Sequence, residues 1–339
     1  MDGHTDSTIV LAVTPKALRP GRWAIEWNGG YGEVGPIVAR TGDRVTRRFR
    51  LAAGTLPGAT ARLAGFAFDA DPGSWLGIEF QTVAVPTPAG PLPCWLVPGA
   101  DSTWAVFVHG RGASRAELLR MLAGYRTLGL PCLLISYRGD PGAPPVAGGG
   151  YRMGAGEWLD LEDAVRFALA HGARDVVPVG CSMGGGIVAQ FLRLSPLRSA
   201  ARAAVLDATA LDWNAVLAQG AAERHVAAPI AELGKWVARL RSGIRWDDLT
   251  QARHAAEFAA PMLIFHGGAD HTVPIDVSER FAAARPDLVT LVRVEGADHV
   301  ESANWDGARY EELLTAWLAA RGIGSRLPED HPAPRPARP

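Results

Sequence analysis

Five short runs do most to decide what this chain can fold into: "WAVFVHG" from 104, "PCLLISY" from 131, "DVVPVG" from 175, "RAAVLDA" from 202 and "PMLIFHG" from 261. Each is nearly continuous in apolar residues rather than alternating, the mark of a strand buried on both faces. Helical patterns separate most of them. "SRAELLRMLAGYRTLG" carries Ser114 as a cap three residues before Glu117. "EWLDLEDAVRFALAHG" puts Trp158, Leu161, Val165 and Ala168 on one face, with Gly172 as its stop. "GGGIVAQFLRL" follows the third run. Helix "DVSERFAAA", strand "LVTLVRVEG" and helix "GARYEELLTAWLAARG" extend the rhythm. Repeated strand–helix units predict an α/β fold: a mostly parallel sheet with helices on both faces. Pro178 breaks the local rule, because a central strand should not lack an N–H.

Three segments stand outside this rhythm. Residues 1–75 read as a β-rich N-terminal extension, with Trp23, Ile25 and Trp27 alternating and no long helical pattern. "GIEFQTVAV" and "LPCWLVPG", around the loop "PTPAGP", form a hairpin that can join the main sheet, so the main domain is set at 76–325. Residues 210–256 hold two or three helical patterns and no strand, including Trp213, Trp236 and Trp246. They read as a helical cap inserted between two strands. The tail over 326–339, "RLPEDHPAPRPARP", is proline-rich and is expected to be disordered.

Composition narrows the function classes. A net charge of −1 with no basic stripe argues against a nucleic-acid partner. No run reaches the roughly 18 uncharged apolar residues of a membrane helix, so no membrane partner is expected. Cys94, Cys132 and Cys181 form no metal-type pair and are odd in number, which fits reduced thiols in a cytoplasmic setting. No metal or cofactor is expected, and the oligomeric state is not legible.

The chemistry centres on "PVGCSMGGG", residues 178–186. Gly180-Cys181-Ser182-Met183-Gly184 is G-x-S-x-G, placed between an apolar strand and a helix, where a tight elbow lifts a serine hydroxyl out of a sheet. A serine needs a base. His299, after the last strand, can reach the same edge, whereas His271 directly follows Asp270 and sits too close to it for the usual orienting bond. Asp270 follows a strand in "FHGGADHTVP" and is the expected orienting carboxylate, with Asp207 as the alternative and Asp298 too near His299. The oxyanion of an acyl intermediate needs donors. The backbone N–H of Met183 is one candidate. The other comes from "HGRG", Arg111 first and Gly112 next. Tyr137, Arg138 and Asp140 follow a strand at the active edge, where they can line the pocket or brace the loop; neither role is assigned.

"VFVHGRG", "SYRGD", "GCSMGGG", "FHGGADHTVP" and "GADH", in this order, resemble the recurring blocks of the α/β-hydrolase superfamily over roughly residues 78–322. Within it the chain looks most like the prolyl-oligopeptidase-like and serine-aminopeptidase-like hydrolases of bacteria. The resemblance implies an α/β-hydrolase fold, a Ser182–Asp270–His299 triad and a substrate-gating lid, which residues 210–256 would supply. The N-terminal region is too short for the β-propeller of the large oligopeptidases, which weakens a transfer of proline-specific peptidase activity. A rival takes Gly180, Gly184 and Gly186 as a dinucleotide turn, with Asp207 on the ribose. It lacks a Tyr-x-x-x-Lys pair and leaves "HGRG" and "GADH" unexplained. The expectation is a serine hydrolase of small-molecule esters, with a peptidase or amidase as alternative and an acyltransferase as a further class.

Overall fold

The computed structural model describes residues 7–56, 58, 60–146 and 149–324. The tail over 326–339, His4 and His331 lie outside the described residues. Two sheets form. The first is antiparallel, with strands β1 (Ser7–Ala12), β2 (Trp23–Trp27), β3 (Gly30–Thr41), β4 (Arg44–Gly54) and β5 (Arg62–Ala64) in the order β1-β4-β3-β2-β5. It has a small core of its own in Trp23, Ile25, Val34 and Phe49. A short helix α1 (Pro72–Leu76), capped by Asp71, leads out of it.

The second sheet has eight strands: β6 (Gln81–Val85), β7 (Leu92–Val97), β8 (Thr103–Val108), β9 (Cys132–Ile135), β10 (Asp175–Cys181), β11 (Ala204–Asp207), β12 (Met262–Gly267) and β13 (Val289–Val294). Their order is β13-β12-β11-β10-β8-β9-β7-β6. The hairpin β6–β7 joins the edge antiparallel through β9, and the other pairs are parallel. Helices α2 (Leu122–Thr127), α3 (Trp158–Ala170), α4 (Met183–Leu194), α7 (Asp276–Ala284), α8 (Ser302–Trp305) and α9 (Gly307–Ala319) flank it. Between β11 and β12 stand α5 (Trp213–Glu223), α6 (Ala228–Ser242) and two short 3-10 turns.

The pleat sorts each central strand into two cores. Val106 and Val108 of β8 pack with Leu161 and Val165 of α3 and Ile187 of α4. Ala105 and Phe107, pointing the other way, pack with Tyr125 of α2 and Leu314 of α9. This double burial is why the sequence runs are continuous rather than alternating.

Pro178 is accommodated by where β11 begins. Residues two apart in a strand direct their backbone groups to the same side. Val176 O accepts from Arg202 N at 3.0 Å, so Pro178 faces that side too. There the ladder to β11 starts only at Val179 opposite Val205. The missing N–H falls just before the neighbouring strand.

The aligned registers set the site. Cys181 pairs with Asp207, Asp207 with Phe265, and Gly267 with Val294. The turns carrying Ser182, Asp270 and His299 therefore leave the sheet at one carboxyl edge.

Candidate active site

Ser182 follows β10 directly and caps α4 with φ 53° and ψ −121°. A side-chain-bearing residue with positive φ costs on the order of 1–3 kcal/mol and persists only when its surroundings enforce it. Here the enforcement is steric and polar. A Cβ at Gly180 would meet the Gly184 carbonyl at 2.6 Å, and one at Gly184 would meet Val108 O at 2.2 Å. Ser182 N donates to Asp207 O at 3.0 Å, and Ser182 O accepts from Ala210 N at 3.1 Å. Ala208 (φ 48°) and Val300 (φ 53°) share the unusual conformation at the same edge. For the β-branched Val300 this is a genuine departure from preferred backbone.

His299 Nε2 lies 2.9 Å from Ser182 Oγ, and His299 Nδ1 lies 2.8 Å from Asp270 Oδ2. The Asp270 side chain is fully buried. Its Oδ1 accepts from the amides of Thr272 and Val273, both at 2.8 Å. Burial opposes its ionisation, but hydrogen bonds from His266, His299 and the Val273 amide, with the charge on His299, hold the carboxyl well below the usual carboxylate range. Asp207 is arranged differently. Its Oδ1 accepts from Ser302 Oγ at 2.8 Å, and burial, only partly offset by that bond, raises its pKa to about 6. Asp298 holds its turn instead, accepting from the amides of His271 at 3.1 Å and His299 at 2.8 Å.

The turn after β8 lies against the serine: a Cβ on Gly110 would approach Ser182 Cβ to 3.2 Å. Its peptide plane is fixed from three directions. Gly110 O accepts from Tyr137 Oη at 3.0 Å and from Ala113 N at 3.3 Å, and lies 2.8 Å from His109 Nδ1. A trans peptide points its N–H opposite its carbonyl, so the Arg111 N–H is turned away from this buried cluster. Among the described residues the amides of Arg111 and Met183 donate no hydrogen bond. On the other side, Gly110 N donates to Glu117 Oε2 at 2.7 Å, and the same oxygen accepts from Cys181 Sγ at 3.1 Å. His109 Nε2 lies 2.8 Å from Asp140 Oδ2, and its ring stacks on Tyr137 at 4.4 Å.

The first sheet reaches this edge. Arg19 donates to Asp298 at 3.2 Å and pairs with Glu301. Asn304 Nδ2 donates to Arg22 O at 2.8 Å and Gly65 O at 3.0 Å. Arg47, fully buried, holds the segment from Ala17 to Gly21 by donating to the carbonyls of Ala17, Arg19 and Gly21.

These features have parallels among known proteins. A family profile described as "Domain of unknown function (DUF8805)" matches residues 2–64, the span of the first sheet. Two Mycobacterium tuberculosis proteins described as uncharacterized, MT2364 (strain CDC 1551 / Oshkosh) and Rv2307c (strain ATCC 25618 / H37Rv), are each 29% identical over 240 residues, 68% of this chain and 75% of theirs. The esterase Pf2001 of Pyrococcus furiosus superposes with TM-score 0.60 at 17% identity, covering 74% of this chain and 96% of its own. XC6422 of Xanthomonas campestris, described as an a/b serine hydrolase without lid, gives 0.52 at 16% identity over 71% and 94%. The chain has the α/β-hydrolase fold.

Within this α/β-hydrolase fold, a cavity of about 650 Å³ opens between α5, α6 and the Ser182 edge. Trp213, Val216, Leu217 and Trp246 give it an apolar wall, and Arg111 and His271 stand at its active-edge side. Another, of about 580 Å³, lies beneath the first sheet against Phe66 and Asn304, away from the serine. Among the described residues no cluster of His, Cys, Asp or Glu could hold a metal, and no helix is long and apolar enough to cross a membrane.

Sequence reasoning left the role of several groups at this edge open. Tyr137 and Asp140 form the support under Gly110, and Arg138 binds Asp160 bidentately at 2.6 and 2.8 Å. Ser114 makes no side-chain cap bond and donates to Phe68 O instead. Its supposed partner Glu117 turns inward to Gly110. The S-x-x-E spacing signalled a helix start, but a buried amide and thiol claimed the carboxylate.

Proposed function

We propose that this chain is a serine hydrolase that cleaves carboxylic esters of small molecules through an acyl-enzyme. His299 accepts the proton of Ser182 as Oγ attacks the acyl carbonyl, while Asp270 fixes the imidazole tautomer and stabilises the imidazolium. The amides of Met183 and Arg111 receive the oxyanion, each such donor being worth roughly 10²–10³ in rate. His299 then protonates the leaving alcohol, water attacks the acyl group, and the serine is restored. Atoms of the protein and water suffice for every step. The supporting observation is the continuous chain Ser182 Oγ–His299–Asp270, at 2.9 and 2.8 Å, with the apolar cavity under α5 and α6 reaching the same edge at Arg111 and His271. That cavity favours an apolar acyl or alcohol group, and an ester offers a better leaving group than an amide.

A fluorophosphonate probe should label Ser182, identified by peptide mass, and Ser182→Ala should abolish both labelling and turnover of a p-nitrophenyl ester panel with the fold retained. Turnover by a folded Ala variant at the wild-type rate would remove the mechanism. Faster kcat/KM on aminoacyl amides than on every ester would transfer the assignment to a peptidase.

A further inference from the structure

Helix α6 exposes what a helix normally hides. None of its residues is buried, and Ile230, Leu233, Trp236, Val237 and Leu240 are 63, 58, 57, 39 and 65% exposed. The opposite side is small and faces inward: Ala231, Gly234 and Ala238 line the cavity. The outer residues are not scattered. Within the helix Ile230, Leu233, Val237 and Leu240 are spaced 3, 4 and 3 apart, the a and d positions of two heptads, with Trp236 beside them. Two heptads of apolar a and d positions are complementary to a second helix.

We propose that α6 pairs with α6 of a second copy of this chain, forming a two-fold dimer through the caps. The seam has β-branched residues (Ile230, Val237) at its first positions and leucines (Leu233, Leu240) at its fourth, the combination that favours two parallel strands. Parallel pairing sets Trp236, beside the seam, against the flanking Arg241 of the other copy five positions on. Arg241 is exposed and has no hydrogen-bond or ion-pair partner among the described residues. The guanidinium over the indole face is electrostatically complementary. At roughly 200 Å² of full surface for residues of this size, the five exposed fractions amount to about 560 Å² per copy, or about 1,100 Å² in the pair. That lies just above the roughly 1,000 Å² that a specific interface needs.

Sedimentation velocity from about 1 to 200 μM should show monomer passing to dimer. Leu233→Glu with Leu240→Glu, neither of which lines the cavity, should raise the dissociation constant at least 100-fold, with circular dichroism and ester turnover unchanged. As a second measurement, Leu240→Cys should form an oxidised, reducible dimer; the native Cys94, Cys132 and Cys181 are all buried. A wild type that stays monomeric to 200 μM overturns the proposal, as does a dimer that the double substitution leaves intact. Monomer that instead binds anionic phosphatidylglycerol vesicles, and loses that binding in the double variant, overturns it in favour of a lipid surface.

Discussion

Asp207 and Asp270 end neighbouring strands of one sheet, and a single substitution separates their roles. Asp207 is fully buried, with Ser302 Oγ at 2.8 Å, and its pKa is raised from the ordinary 3.8 to about 6. A carboxyl that holds its proton more tightly when folded stabilises the fold fully below the unfolded pKa. That contribution is lost as pH rises through the folded value. The window therefore runs from about pH 4 to pH 6, and the gap of about 2 pH units corresponds to about 3 kcal/mol. Asn keeps an oxygen for Ser302 and never ionises. The stability of Asp207→Asn minus that of wild type should therefore grow by roughly 2 kcal/mol between pH 4, already just past the unfolded pKa, and pH 8. Urea unfolding followed by tryptophan fluorescence at pH 4, 5, 6, 7 and 8 measures this directly. Ester turnover on the same samples should stay within about threefold of wild type, because His299 is oriented by Asp270. Parallel stability curves for the two proteins would refute the burial argument. A thousandfold loss of turnover would make Asp207 the orienting acid.

Two further substitutions probe the edge itself. Asp270→Asn should lower kcat by about 10³–10⁴ with little change in KM, since the neutral amide no longer fixes the imidazole tautomer; the steady-state rates of folded variant and wild type compare it. Tyr137→Phe removes one of the donors to Gly110 O and should cost roughly tenfold in kcat with KM nearly unchanged, consistent with about 1 kcal/mol for a lost hydrogen bond. An unchanged kcat would show that His109 and Ala113 hold the peptide unaided.

What was legible in the sequence was whatever repeats along it. The doubly buried strands announced themselves as continuous apolar runs, and the elbow glycines as the residues a tight turn requires. Ser182, Asp270 and His299 could be placed together because each lies in the turn that follows a strand of one parallel sheet. Asp207 follows a strand as well, so spacing alone left it as an alternative; what separates it is the hydroxyl of Ser302, 95 positions away. Glu117 was misplaced because a local capping signal and a buried tertiary partner compete for one carboxylate. The contact of Arg19 with the turn beside His299 spans 279 positions and leaves no periodic trace. Polar braces of this kind are specified one pair at a time, whereas a sheet is specified by a rhythm.

That long-range contact orders events during synthesis. The elbow bearing Ser182 leaves the ribosome more than a hundred residues before the segment bearing His299, and Arg19 waits still longer for Asp298. A nascent chain at that stage holds the Ser182 hydroxyl without the imidazole that lies 2.9 Å from it in the folded protein. The bond from Arg19 to Asp298 closes only once the turn beside His299 has been made, so this brace joins the two sheets late.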